Sequence, residues 1–227
     1  MEFSSLIVKK FNIRDINLTY FVGFNQIKLK SDKILHKEDN AKESTLVDQF
    51  FKAINESQTQ YHNTSIQFMK DTYILNQDHI FTACYHVQRA FSKKLNISSK
   101  KEIELLLYMS TNRQIKKSIK TYGIDSSDLS KGKLTYCIIS QSNNLNSIND
   151  DIVETLKANE ESLTINTISN EKFNLIKEFY EISEHQINCI LESYGIDSKI
   201  DLNLNFKFSA LYDLICEKMV LLSIENT

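Results

Sequence analysis

Residues 104–124, which read ELLLYMSTNRQIKKSIKTYGI, contain two helical patterns separated by a short polar turn. The pattern Thr111-x-x-Gln114 is typical of a capping box, so it predicts that a second helix opens there. Gly123 stands where a glycine commonly ends a helix. The helix between these signals is predicted to bury four residues at helical spacing: Ile115, Ser118, Ile119 and Tyr122.

The flanking segments extend this pattern in both directions. Upstream, Asn76 can cap a helix whose apolar stripe has helical spacing, and Ser99-x-x-Glu102 predicts another capping box. Downstream, the apolar run 133–139 predicts a strand inside a sheet. A helix over 210–224 closes the chain. The stripe of the first helix is Ile80, Ala83, Cys84, Val87 and Phe91.

The remaining segments alternate between strand and helix patterns. Alternating apolar residues predict strands over 6–13, 17–24, 65–69 and 200–207, the first two forming a hairpin. Helical spacing predicts further helices near 46–54, 152–156, 173–180 and 187–194. We therefore predict an α/β (α+β) fold, a small mixed β-sheet flanked by several helices, in a single domain over 1–227.

Composition excludes several classes of protein. The chain has no proline and four glycines, which leaves no glycine-rich phosphate loop or dinucleotide fingerprint. The four cysteines are far apart, so a disulfide framework or zinc site is not expected, and the pattern predicts four buried thiols. No apolar run approaches the roughly 20 residues of a membrane span. The sequence predicts no enzyme, no cofactor, no metal and no membrane association.

Positive charge is concentrated in the middle of the chain. The formal net charge is −2, but residues 84–133 hold nine Lys and two Arg against four acidic residues. Four of these cations follow helical spacing, which is the footprint expected for phosphate contacts. The alternative is an ordinary solvated helix face. The four residues are Arg113, Lys116, Lys117 and Lys120.

The same stretch resembles the TPRKB-like family, the small accessory subunit of the KEOPS (EKC) complex. Members read approximately E-x-L-L-x-x-S-G-x-R-Q-I-x-x-A-I-x-x-x-G-I, which residues 104–124 resemble. Residues 78–83 resemble the family's preceding helix start, 133–140 its next strand and 217–222 its last helix. These segments are collinear and span about half of the chain.

The chain also departs from the family pattern. Thr111 stands where the family usually has Gly, so we expect a capped helix start rather than a tighter turn. Ser118 replaces the usual Ala. Segments near 31–44 and 183–207 are expected to be family-atypical insertions.

The resemblance implies a fold with a small mixed sheet and helices packed around it. It also implies a non-catalytic subunit of the machinery that makes threonylcarbamoyl-adenosine beside the tRNA anticodon. Such a subunit binds the kinase/ATPase subunit of KEOPS directly, shares the complex with the transferase subunit, and recruits tRNA through its CCA end. The expected location is cytoplasmic, and also nuclear in a eukaryote. The alternatives are a kinase regulator without an RNA-binding role and an unrecognised enzyme using Cys84 or a carboxylate pair.

Two groups of candidate site residues follow. For tRNA, the basic stripe supplies phosphate contacts, and His79 could stack on a nucleotide or only make a local hydrogen bond. Gln114 is either a tRNA contact or part of the Thr111 box. For the kinase, the closing helix is apolar on more than one side, which fits either full burial or a partner interface. The full candidate sets are Arg113, Lys116, Lys117, Lys120, His79 and Gln114 for tRNA, and Leu214, Met219 and Leu221 for the partner.

Overall fold

A computed structural model describes residues 6–30, 43–196 and 203–224, and their contacts divide into two compact units. The sheet unit comprises the described residues up to Lys70 together with Gly123–Leu163. The helical unit comprises Asp71–Tyr122 and the described residues from Thr164 onward. Each unit therefore combines two segments that are distant in sequence.

The sheet unit is built on a sheet of five described strands. Four of them follow the order β1-β2-β4-β3, and β5 pairs with β2 beside this path. The long strand β2 is rich in aromatic and β-branched residues, which favour extended structure. Its first half pairs with β1 and its last four residues pair with β5, while β4 occupies its other edge. The strands are β1 Ile7–Ile13, β2 Leu18–Leu29, β3 Thr64–Met69, β4 Lys133–Ser140 and β5 Ala158–Glu161.

The predicted α+β class is confirmed, but every strand pair within the described residues is antiparallel, where a mixed sheet was expected. The strands β2 and β3 are separated in sequence by a helix, a connection that often produces parallel neighbours. Here β4 lies between them and runs opposite to both, so no parallel neighbours arise.

Three helices of the described part of this unit pack around the sheet. Their inward side chains join Ile66 and Phe68 of β3 and Tyr136 of β4 in one apolar cluster, with Phe50 of the first helix against Phe68. A short 3-10 turn, Arg14–Ile16, links β1 to β2. The helices are α1 Glu43–Gln58, α5 Ser126–Lys131 and α6 Leu145–Thr155.

The helical unit consists of six helices within the described residues. As predicted, Asn76 caps the first of them, because its Oδ1 accepts the backbone N–H of His79 at 3.0 Å. The helix α2 packs against α3 and α9, and α9 also packs against α3, α7 and α8. The helices are α2 Gln77–Lys93, α3 Lys101–Ser110, α4 Ile115–Tyr122, α7 Asn170–Phe179, α8 Glu184–Ser193 and α9 Leu204–Ile224.

Two local predictions in the helical unit are wrong. Residues 204–207 begin α9 and are not part of a strand, because Leu204, Phe208, Leu211 and Ile215 recur at helical spacing and the last three are buried. Positions 200–202 of that predicted strand lie outside the described residues. The Ser99 capping box does not form either, since α3 begins after Lys100 without a side-chain cap.

Both predicted insertions lie partly outside the described residues. Positions 31–42 of the first are not described, and residues 43 and 44 begin α1. The second contains α8, the undescribed residues 197–202 and the start of α9. That these segments are family-atypical stays a prediction, as does the single domain.

Candidate functional site

The turn between α3 and α4 is tighter than expected. Thr111 ends α3 in the left-handed region at φ 47°, where its N–H donates to the Tyr108 carbonyl at 3.1 Å. The Asn112 N–H donates to the Leu107 carbonyl, also at 3.1 Å. This conformation disfavours a β-branched residue and suits glycine. The expected capped helix start at Thr111 is therefore wrong, and the junction is the tighter turn.

The start of α4 is fixed from Asn112 rather than from Thr111. The Gln114 backbone N–H donates to Asn112 Oδ1 at 2.9 Å. Ser118, which replaces the family's usual Ala, is fully buried and its hydroxyl bonds Ser110 Oγ at 2.6 Å. This small buried residue lets α4 lie close to α3. Arg113 is thus held at the exposed point of an ordered turn.

The predicted basic stripe is exposed on this turn and on α4. Only Ser118 and Tyr122 of α4 are buried, so Ile115 and Ile119, expected in the core, are 40% and 41% exposed. Because α4 is short and packs along a narrow side, its two isoleucines border the buried side and remain in contact with solvent. The exposed polar residues of this surface are Arg113, Gln114, Lys116, Lys117 and Lys120.

The turn shares a pocket of about 320 Å³ with the end of α9. Arg113 and Gln114, predicted to contact tRNA, line it together with Leu221, predicted to contact the partner. The two candidate groups therefore meet at one place on the helical unit. The other lining residues are Thr111, Asn112, Lys218 and Leu222.

The end of α9 presents an exposed apolar stripe. Leu221 is 50% exposed, and Glu217, Val220 and Ile224 share its exposure at the spacing i, i+3, i+4, i+7. We call these four residues the outer stripe. Its three apolar members lie on the same side of the last two turns, so they form a continuous surface on the helical unit.

Two of the predicted partner residues belong to the core instead. Met219 is fully buried and Leu214 is 6% exposed. The helix α9 packs against four other helices of its unit, and this packing covers most of its circumference. Leu214 and Met219 are therefore not available to a partner, and only Leu221 of the three predicted residues is.

His79 is also corrected. Its side chain is fully buried, Nδ1 accepts the Leu75 N–H at 3.2 Å, and Nε2 lies 3.2 Å from the Tyr180 hydroxyl oxygen. An accepting Nδ1 requires the proton on Nε2, which then donates to Tyr180. Burial lowers the pKa of His79 to about 3, so the ring is neutral. Of the two predicted roles of His79, the local hydrogen bond is present, whereas the buried ring is not accessible to a nucleotide.

A cluster of buried hydroxyl groups surrounds His79. Tyr180 donates to the Met109 carbonyl, and its oxygen lies 2.7 Å from that of Tyr122. The Tyr122 hydroxyl also donates to the Tyr73 carbonyl at 3.0 Å. Burial raises the pKa of both Tyr122 and Tyr180. These bonds join the ends of several helices of the unit, and so the cluster has a structural role.

The described cysteines lie both in the core and on the surface, and none belongs to a candidate metal-binding cluster of the described residues. In residues 6–30, 43–196 and 203–224, no group of three His, Cys, Asp or Glu side chains could hold a metal ion. Cys84 and Cys137 are buried, whereas Cys189 is exposed and Cys216 is half-buried, so the expectation of four buried thiols is wrong. Across the same ranges, no helix has the length and apolar character needed to cross a membrane.

Comparison with known proteins gives one family. The family model described as kinase binding protein CGI-121 matches residues 38–223. This match includes α2, α3, α4 and nearly all of α9, and therefore both the basic turn and most of the outer stripe. No curated protein matches the chain.

Proposed function

Because the chain belongs to the CGI-121 (TPRKB) family of kinase-binding proteins, which confirms the resemblance seen in its sequence, we propose that it is a non-catalytic subunit of KEOPS. In this role it binds the kinase/ATPase subunit directly and recruits tRNA, through the CCA end, for threonylcarbamoyl-adenosine modification. The transferase subunit is then an indirect partner in the same complex.

One observation carries this proposal. Arg113 and Gln114 of the α3–α4 turn line the same pocket as Leu221 of the outer stripe. A kinase packed on the stripe and an RNA strand on the turn would therefore contact adjacent parts of one surface. Such proximity would let the protein hold a tRNA strand beside the kinase.

The outer stripe supports kinase binding. Leu221 and Ile224 are 50% and 57% exposed at the end of a well-packed helix. Exposed apolar residues grouped on one side of a helix are typical of a partner interface. The helix itself is rigidly placed by its buried residues, so the surface is already formed before a partner arrives.

Leu221→Asp tests this surface against Leu175→Asp, a control that places the same change on a leucine of α7 that is 41% exposed. We expect the first variant to weaken kinase binding by about 100-fold, the range of an interface hot spot, and the second by less than about 3-fold. Titration calorimetry with the purified kinase measures both. Equal losses in the two variants would contradict a specific role of the stripe.

The α4 surface supports RNA binding. Arg113, Lys116, Lys117 and Lys120 are exposed cations that suit phosphates. Beside them, the two exposed isoleucines offer apolar area to unstacked bases of a single strand, such as a CCA end. Cations and apolar side chains together fit single-stranded RNA better than either does alone.

Fluorescence anisotropy with intact tRNA and with tRNA lacking CCA tests this half of the proposal. We expect tighter binding of the intact tRNA, and a loss of about 5-fold or more in the double variant Arg113→Ala, Lys117→Ala, with a flatter salt dependence. The control removes two exposed lysines of the sheet unit, by Lys52→Ala and Lys133→Ala.

The alternative function has its own outcome in these measurements. Equal affinity for both tRNAs, or equal losses in both double variants, would contradict tRNA recruitment through this surface. Retained kinase binding together with no measurable tRNA binding would identify the protein as a kinase regulator with no RNA-binding role.

A further inference from the structure

The last helix of the helical unit, α9, carries two lysines in different surroundings. Lys207 lies in its first turn and Lys218 less than two turns before its end, and both are half-buried. Of the two, only Lys218 lines the pocket of about 320 Å³ that α9 shares with the α3–α4 turn. This difference makes Lys218 the lysine of α9 that can act together with the turn.

The backbone that carries Lys218 is anchored by buried neighbours. Leu214 lies one turn before it, Met219 next to it and Leu222 one turn after it, and all three are buried. A half-buried lysine packs its aliphatic stem against apolar residues and keeps its ammonium group in water. Lys218 therefore loses less conformational freedom on binding a ligand than a fully exposed lysine would.

The pocket beside Lys218 combines a polar wall with an apolar one. Asn112 and Gln114 contribute amide groups from the turn, whereas Leu221 and Leu222 contribute apolar area from α9. Among the described residues, the lining contains no carboxylate. A nucleotide needs positive charge for its phosphate, and hydrogen-bonding groups and apolar area for its base. The chemistry of the pocket fits such a ligand.

This pocket also continues the basic surface of α4. Arg113, the first residue of the basic stripe, lines the pocket from the turn, and Lys218 lines it from α9. Lys116, Lys117 and Lys120 follow Arg113 along α4. The cations thus form a row from α4 across the turn to α9, and such a row suits the repeating phosphates of a strand.

We propose that Lys218 binds a phosphate of the RNA strand, so that the RNA surface extends from the α3–α4 turn onto the end of α9. The inference rests on the proposed tRNA binding and adds to it a contact from a distant part of the chain. Because Lys218 lies one helical turn from Leu221, the strand would reach the edge of the surface proposed for the kinase.

Two matched substitutions in α9 test this contact. Lys218→Gln should weaken the binding of intact tRNA by about 3- to 10-fold and reduce the slope of log affinity against log salt by about 0.7, the value of one phosphate contact on a single strand. Lys207→Gln removes the same charge from the same helix outside the pocket, and should change the affinity by less than about 2-fold. Fluorescence anisotropy between about 50 and 300 mM salt measures both.

A conservative variant and a stability measurement separate binding from folding. Lys218→Arg should keep most of the affinity and of the salt slope, because the guanidinium group retains the charge and fits a phosphate. Thermal unfolding of each variant identifies a folding defect, which would lower the fraction of active protein without changing the salt slope.

Other outcomes oppose the proposal. Equal losses for Lys218→Gln and Lys207→Gln, or a loss in Lys218→Gln with an unchanged salt slope, would overturn the phosphate contact. So would a loss of kinase affinity in Lys218→Gln, measured by titration calorimetry, with unchanged tRNA affinity. If only the double variant Arg113→Ala, Lys117→Ala loses tRNA affinity, this inference fails while tRNA recruitment stands. If the wild-type protein does not bind tRNA, both fail.

Discussion

The interior around His79 and the outer surface around Arg113 belong to the same helical unit, and both were expected to contact RNA. His79 is fully buried and its two ring nitrogens are satisfied by Leu75 and Tyr180. Arg113 is exposed on a turn whose own hydrogen bonds hold it in place. In the interior, polar groups determine how helix ends meet. On the surface, they are available to ligands.

The largest effect should come from truncating a buried apolar residue of α9, in comparison with the same truncation of an exposed one. Met219→Ala is expected to lower the free energy of unfolding by about 2–5 kcal/mol, because it leaves a cavity in the core. Leu221→Ala, on a side chain that is 50% exposed, should cost less than about 1 kcal/mol. Urea unfolding measures both. Similar losses would mean that the inner and outer positions of α9 are not distinguished as described.

Lowering the pH should reduce the free energy of unfolding through the two buried histidines of the helical unit. Burial holds the pKa of His79 near 3 and that of His86 near 4, while an unfolded histidine titrates near 6.5. Between the folded and unfolded pKa values, the unfolded chain binds more protons than the folded protein. The stabilisation from each neutral histidine is therefore fully present above about pH 6.5 and is lost as the pH falls toward the pKa of the folded state. Each histidine contributes a slope of up to about 1.4 kcal/mol per pH unit in this window.

This pH dependence can be checked by urea unfolding between pH 7 and pH 4.5. Replacing either residue, by His79→Gln or His86→Gln, should flatten the slope, whatever its effect on the stability at pH 7. An unchanged slope in both variants would contradict the neutral, buried state of the two rings.

The smallest effect concerns the turn that presents Arg113. Thr111→Gly should raise the free energy of unfolding by up to about 1 kcal/mol, because glycine occupies the left-handed region without a steric cost. The same change at Thr121, in the last turn of α4, should lower it by about 0.5 kcal/mol. Thermal unfolding of the two variants measures these opposite signs. A loss of stability in Thr111→Gly would contradict the strained turn.

Much of the fold could be predicted from the sequence because local and long-range preferences agree there. Asn76 caps α2, and the apolar stripe that follows it is buried from Ile80 to Val87. The strand β4 was recognisable as an apolar run, and it lies at the centre of the sheet. The hairpin of β1 and β2 was also predicted, although β2 extends further, to Leu29.

Identical local sequence does not always give identical structure. Tyr-Gly-Ile-Asp-Ser occurs at residues 122–126 and at 194–198. Gly195 ends α8 at φ 76°, as expected. The helix α4 also ends just before Gly123, as predicted, but Gly123 does not adopt the left-handed conformation and instead pairs with Met69 at the end of β3. A strand available for pairing decided the outcome, and no local pattern contains that information.

The site was predictable in part. The exposure of the basic stripe follows from helical spacing. The burial of His79 could have been predicted in the same way, since His79 lies one turn before Ala83 on the same side of α2. In α9, several apolar rows compete, and only the packing of neighbouring helices shows which row is outermost. The spacing of Glu217, Val220, Leu221 and Ile224 was the signal that could have identified the outer stripe.

The way the two units share the chain has a consequence for biosynthesis. The sheet unit needs Gly123–Leu163 to supply β4 and β5, and the helical unit needs α9, which is completed at Ile224. On the ribosome, α2, α3 and α4 are therefore made before the central strand β4, and they wait for α9 until Ile224 has been added. The helical unit cannot complete its core before then, so the nascent chain exposes apolar helices while residues 123–224 are being made.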